Sequence, residues 1–156
     1  MQTLPDPFSK STLGINFTIK DALDSFSKSK NWVDRYRQLF TLADKNVPID
    51  EQWRKDEYLI EGCESPVWLI HHFDTEQQRH FILADSDSKI IKGLLVLIIC
   101  ACNGQSSESI LAFKLEPMLV NLDFGKYLTP SRSSGLLSVI HKIKNSIINT
   151  TNPTPL

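Results

Sequence analysis

Apolar positions three and four apart mark helices near both ends of the chain, with short extended segments between them. Ile19, Ala22, Leu23 and Phe26 follow helical spacing. Thr18 stands before them as a cap, and Asp21 follows three residues later, as a capping box requires. Asn31 with Asp34 repeats that logic. Trp32, Val33, Tyr36, Leu39, Phe40 and Ala43 then form the apolar face of a second helix, leaving Arg35, Arg37 and Gln38 mostly outside. The stretch before the first helix, Met1 to Phe17, is rich in Pro, Ser, Thr and Gly and has no period. It is expected to be a loosely tied, flexible arm.

The pattern changes in the middle. Asn46 to Glu57 is a polar connector containing Pro48, with Trp53 expected to pin it to the body. Three strands are expected, at Tyr58–Gly62, Val67–Phe73 and Arg79–Asp85, the last two joined as a hairpin by the polar turn Asp74 to Gln78. Their alternation is mixed and fixes the register weakly. Asp85-Ser86-Asp87-Ser88 ends the sheet and offers helix caps. From Lys89 to Cys102 the chain is apolar nearly all round, the pattern of a buried helix, and it stops at Asn103-Gly104. Short helices are expected at Ser106–Phe113 and Pro117–Leu122. Thr129 caps a final helix with Pro130 at its first position, and Leu136, Leu137, Ile140, Ile143, Ile147 and Ile148 supply its inner face. Asn149 to Leu156 is expected to be a tail. There is no internal repeat and no linker between two cores. The expectation is one α+β domain over residues 18–148, a small antiparallel three-stranded sheet with helices packed on it.

Composition narrows the function classes. Of 156 residues 41% are apolar, enough for an ordinary core, and the net charge of −1 provides no global pull toward nucleic acid or anionic membrane. The longest apolar run, Ile90 to Cys102, contains Lys92 and is too short to cross a bilayer. No secretory signal is read at the N-terminus. Three cysteines, an odd number, suit reduced thiols in a cytoplasmic protein.

The candidate chemistry lies in Glu61-Gly62-Cys63-Glu64-Ser65-Pro66-Val67-Trp68. Gly62 permits backbone angles closed to other residues, and Pro66 biases Ser65 to an extended conformation. This places a single thiol at a loop tip beside a sheet edge, where another protein can reach it. Cys100 and Cys102 are two apart on a helix, point to different sides and cannot act as a redox pair. Glu61 and Glu64 would raise the Cys63 pKa if near it. Arg132 stands in the first turn of the last helix, the unfavourable end of the dipole for a cation. It is expected to have an anionic partner, either at the cysteine loop or docking surface, or in an ion pair with Asp85 or Asp87.

The residues Gly62-Cys63-Glu64-Ser65-Pro66-Val67-Trp68-Leu69 resemble the G-C-x-x-x-V-W signature of the SufE/CsdE sulfur-acceptor proteins. Asp85 to Leu94 is similar to that family's second block, Leu128 to Leu136 to its third, and Asn31-Trp32 with Arg35-Tyr36-Arg37-Gln38-Leu39 to its upstream helix. Glu64 and the Tyr36–Leu39 run lean toward the CsdE branch. The resemblance implies a compact α+β fold like that of IscU-type scaffolds. It implies a partner of a PLP-dependent cysteine desulfurase, of the SufS or CsdA type, with Cys63 as the acceptor cysteine. The sulfur would then pass to a downstream sulfur or cluster-assembly acceptor. The protein would itself hold no cofactor and no metal, would bind neither nucleic acid nor membrane, and would not be an enzyme in its own right.

Such transfer is thiolate attack on a sulfur–sulfur bond and needs one reachable thiol with no second thiol beside it. That pattern argues against a disulfide oxidoreductase. A stand-alone cysteine hydrolase would need a histidine oriented by Asn or Asp and oxyanion donors near Cys63, and no motif supplies them. A cluster scaffold would want several convergent thiolates. His71, His72 and His80 with Cys63 suggest zinc only weakly, because adjacent strand residues face opposite ways. In the free protein Cys63 is expected to tuck into an apolar niche, with Trp68 near enough to wall it, and the loop to evert on the desulfurase.

Overall fold

The computed structural model describes residues 4–124 and 128–151. Helix α1 (Ile19–Asp24) opens with the expected capping box, the Thr18 hydroxyl accepting from the Asp21 amide and the Asp21 carboxylate accepting from the Thr18 amide. Helix α2 (Trp32–Ala43) is capped by Asn31, whose side chain accepts from the Asp34 amide at 3.0 Å. Strands β1 (Val67–Asp74) and β2 (Arg79–Ser86) pair antiparallel, with Val67 opposite Ser86 and Asp74 opposite Arg79. Helices α3 (Lys89–Cys102), α4 (Ser107–Ala112), α5 (Leu115–Leu122) and α6 (Pro130–Thr151) follow. The fold is α+β, helices packed on a small antiparallel sheet.

Among the described residues the sheet has two strands rather than the expected three. Residues Asp56–Tyr58 close a 3-10 turn instead of extending. The segment then touches the sheet only where Leu59 bridges to Trp68 and the Ile60 amide donates to the Val67 carbonyl at 2.8 Å. Gly62, with φ +93°, turns the chain away before a ladder can form.

The weak alternation of the strands has a physical cause: both faces of the hairpin are covered. Val67, Leu69, Ile82 and Ala84 join the main core built on α3, while Ile70, Phe81 and Leu83 pack on the other side with Phe8 and Ile49. Strands buried on two sides need no polar face. Helix α3 is the hub, and all but four of its residues are buried. It lies so close to α2 that a Cβ on Gly93 would stand 2.4 Å from the Leu39 carbonyl oxygen.

Three boundaries differ from expectation. Within the supposed arm, Phe8, Ser11 and Leu13 are buried, and the Leu13 carbonyl accepts from Asn103 Nδ2 at 2.8 Å. The same Asn103 side chain accepts from the Ile82 amide at 2.8 Å, so it ties the N-terminal segment to β2. The arm's residues 1–3 lie outside the described residues. Helix α5 begins at Leu115, with Pro117 in its first turn, where a missing N–H costs no hydrogen bond. Helix α6 runs on to Thr151, so part of the expected tail is helical, and the rest, from residue 152, lies outside the described residues. Ile148, assigned to the inner face, is 44% exposed, whereas Ile147 is fully buried.

Trp53 sits as a pin: it packs on the second core and meets Tyr58 edge-on at 5.6 Å. The connector is further held by buried Asp85. That carboxylate accepts from the Ile49 amide at 3.1 Å and from Arg54 at 2.8 Å, and Lys92 stands 3.8 Å away. Arg54 also reaches Asp87 at 3.1 Å.

Candidate functional site

Cys63 lies in the short loop between Leu59 and the start of β1, and the loop rests on the first half of α6. Gly62 makes the turn with positive φ; a Cβ there would stand 2.9 Å from Ser138 Oγ on α6. One turn earlier on the helix, Gly135 faces the cysteine directly. The thiol donates to the Gly135 carbonyl at 3.5 Å. Loop and helix thus bring together residues 72 positions apart.

The thiol opens on a small cavity of about 50 Å³. Its apolar wall is Val67, Ile91, Leu136 and Val139, and its polar rim includes Glu64, Ser65, Ser88, Ser131 and Arg132. The sulfur is therefore half-buried, in a niche more polar at its mouth than expected. Burial pushes the Cys63 thiol above its ordinary pKa. That cause, and not the neighbouring Glu61 and Glu64, sets the direction; both acids are exposed.

The other two thiols are less accessible. Burial raises Cys100 to about 11 and Cys102 to about 12. Cys100 also donates to the Phe17 carbonyl at 3.6 Å. Cys63 is the thiol of the three that stands partly open.

Glu64, Gly62 and Arg132 were expected around this site. Glu64 and Arg132 line the cysteine cavity, and Gly62 forms its loop. Arg132 belongs to the first turn of α6, where its backbone amide donates to the Thr129 hydroxyl at 3.3 Å. Asp85 and Asp87, considered as its partners, carry Arg54 instead. Trp68 does not wall the niche. Its side chain points to the second core, with the Arg54 guanidinium 4.7 Å above its ring. Gly135 and Ser138 were not singled out from the sequence. The available signal was a glycine six residues into a helix, a position where glycine is unfavourable unless something stands close.

The histidines lie elsewhere. His71 Nε2 meets His80 Nδ1 at 2.9 Å, and His80 Nε2 meets Ser107 Oγ at 2.6 Å. His72 faces the other way and lies 5.6 Å from the Phe8 ring. Among the described residues no three His, Cys, Asp or Glu side chains converge as metal ligands. Among them, too, no helix is long and apolar enough to cross a membrane.

The arrangement can hold one thiol inward with a little room beside it and no acid–base partner of the hydrolase kind among the cavity's lining. The fold is similar to the solution structure of a hypothetical protein from Thermus thermophilus. The TM-score is 0.67 at 16% identity, over 85% of this chain and 95% of that one, a likeness of fold. Residues 20–147 match the family described as "SufE: Fe-S metabolism associated domain". That stretch holds the cysteine loop, the hairpin, α3 and nearly all of α6, and over it this chain belongs to the SufE family, associated with Fe–S metabolism.

Proposed function

We propose that this protein is a sulfur acceptor and carrier, working beside a PLP-dependent cysteine desulfurase of the SufS or CsdA type in the cytoplasm. The Cys63 thiolate attacks the outer sulfur of the partner's cysteine persulfide. A new S–S bond forms on Cys63, the donor's S–S bond breaks, and its electron pair leaves on the partner's cysteine as thiolate. No net oxidation occurs. The loaded Cys63 persulfide then passes its outer sulfur to a downstream acceptor, toward iron–sulfur cluster assembly. Removing the sulfur also stimulates the desulfurase by freeing it for another turnover. Arg132 and Glu64 line the path into the site; Gly62 lets the loop turn. The PLP belongs to the partner, and the chain's own contribution is one nucleophile.

One observation carries this reading: a half-buried single thiol, on the loop that resembles the family's signature, opens on a cavity of about 50 Å³. That exceeds the roughly 10–15 Å³ that one water needs, so one added sulfur atom fits beside Sγ. The raised pKa makes the resting thiol slow, which suits activation by docking and limits over-oxidation.

The test is incubation with free cysteine and a PLP desulfurase, followed by intact mass. The expected result is added mass in multiples of sulfur, abolished in Cys63→Ser and retained when Cys100 and Cys102 are replaced. Equal loading of Cys63→Ser overturns the assignment.

A further inference from the structure

Resting on that reading, we infer that Gly62 and Gly135 form a matched seat that holds the Cys63 thiol inward and keeps the space beside it open. The inference comes from what side chains would meet. A Cβ on Gly135 would stand 3.3 Å from Cys63 Sγ and 3.7 Å from both its Cα and its Cβ. A Cβ on Gly62 would stand 2.9 Å from Ser138 Oγ. Gly135 therefore lets the thiol lie against the helix, and Gly62 makes the loop's turn at φ +93°, where a Cβ would meet only the rotatable Ser138 hydroxyl. Gly135 is buried within a 22-residue helix, where alanine is the better helix former. What the glycine supplies is proximity: it lets Sγ lie against the helix backbone, where the Gly135 carbonyl accepts from it.

Both glycines are positioning residues. Neither touches the partner's sulfur. Their effect is on which way the thiol points at rest and on how long a bound outer sulfur is shielded from solvent. A methyl group on Gly135 pushes Sγ away from α6 and turns the thiol outward, while one on Gly62 strains the positive-φ turn that carries the cysteine.

The experiment uses the full chain as wild type, Gly135→Ala and Gly62→Ala. Each is labelled with iodoacetamide at fixed pH, and the labelled site is mapped by mass. Displacing the thiol is expected to raise the Cys63 labelling rate about threefold or more, since access and thiolate fraction both increase. Cys100 and Cys102 stay unlabelled in an intact fold; a variant that labels them is set aside and the other decides. Desulfurase-loaded Cys63 persulfide should also lose its outer sulfur to cyanide faster in the variants. Wild-type labelling rates in the intact variants overturn the seat. Loading of the wild type is measured alongside. A wild type that takes up no sulfur refutes the acceptor role and leaves the labelling result standing. Normal loading with unchanged labelling refutes the seat alone.

Discussion

At the scale of single residues, burial acts on two polar side chains of this chain in different ways. Cys63 is the reachable thiol, and burial sets its behaviour: its pKa lies above the ordinary value, so at neutral pH it is almost wholly protonated. Alkylation of the free protein is expected to climb steadily with pH and to show no plateau below about pH 9. A pH–rate profile checks this, and a plateau near neutrality would mean that a cation lowers the pKa. Asp85 is the structural counterpart. Fully buried, it accepts from the Ile49 amide and from Arg54, and so fastens the connector to the end of β2. Arg54 is 26% exposed and keeps Asp87, so what Asp85 supplies is its own buried hydrogen bonds. Asp85→Ala leaves the Ile49 amide without its acceptor and is expected to cost about 1–3 kcal/mol, read from urea denaturation. The expected Asp85–Arg132 alternative shows how a sequence misleads here: the acid is legible, but which of several arginines reaches it depends on a connector that carries no periodic signal.

At the scale of elements, the caps were the most legible feature. Thr18 with Asp21 and Asn31 with Asp34 start helices where their side chains satisfy free amides. The all-apolar run from Lys89 to Cys102 likewise became the buried α3. What the sequence hid was close approach. Gly93 looks like any glycine in a helix, yet its missing Cβ sets the separation of α2 and α3. Gly93→Ala is expected to destabilise by about 1–3 kcal/mol or more, since the clash is with backbone; thermal unfolding measures it. The histidine chain joins β1, β2 and α4. Burial, with His80 and His72 nearby, lowers His71 to about 4, and burial lowers His80. A group with a depressed folded pKa is neutral in the fold and takes its proton first when unfolded. Its contribution is therefore full above pH 6.5 and fades as pH falls toward 4. Denaturation midpoints at about pH 7.5 and about pH 4.5, on either side of most of that loss, should differ, and His71→Phe should shrink that difference. Equal pH dependence in the variant would sink this account.

At the scale of the whole molecule, the N-terminal segment is part of the body. Polar composition without a period suggested a loose arm, because nothing in the residue order signals that Leu13 has a buried partner 90 positions away in Asn103. Truncation before Thr18 is expected to cost about 2–5 kcal/mol from the loss of Leu13 alone, and to open Cys100 to labelling, since the Phe17 carbonyl covers it. Calorimetry and mass mapping test both. The same distance problem hid half of the site. The cysteine loop was legible as a short block of residues, but its other wall is α6. A contact between Gly135 and Cys63 exists only after the chain has folded back on itself.

The hairpin has two outer flanks, and each is occupied at one point by the chain's own backbone: Leu59 at Trp68 and Gln105 at His80. A strand from another molecule would have to displace those bridges to add itself there. Fibril-like growth from the sheet therefore starts at a disadvantage.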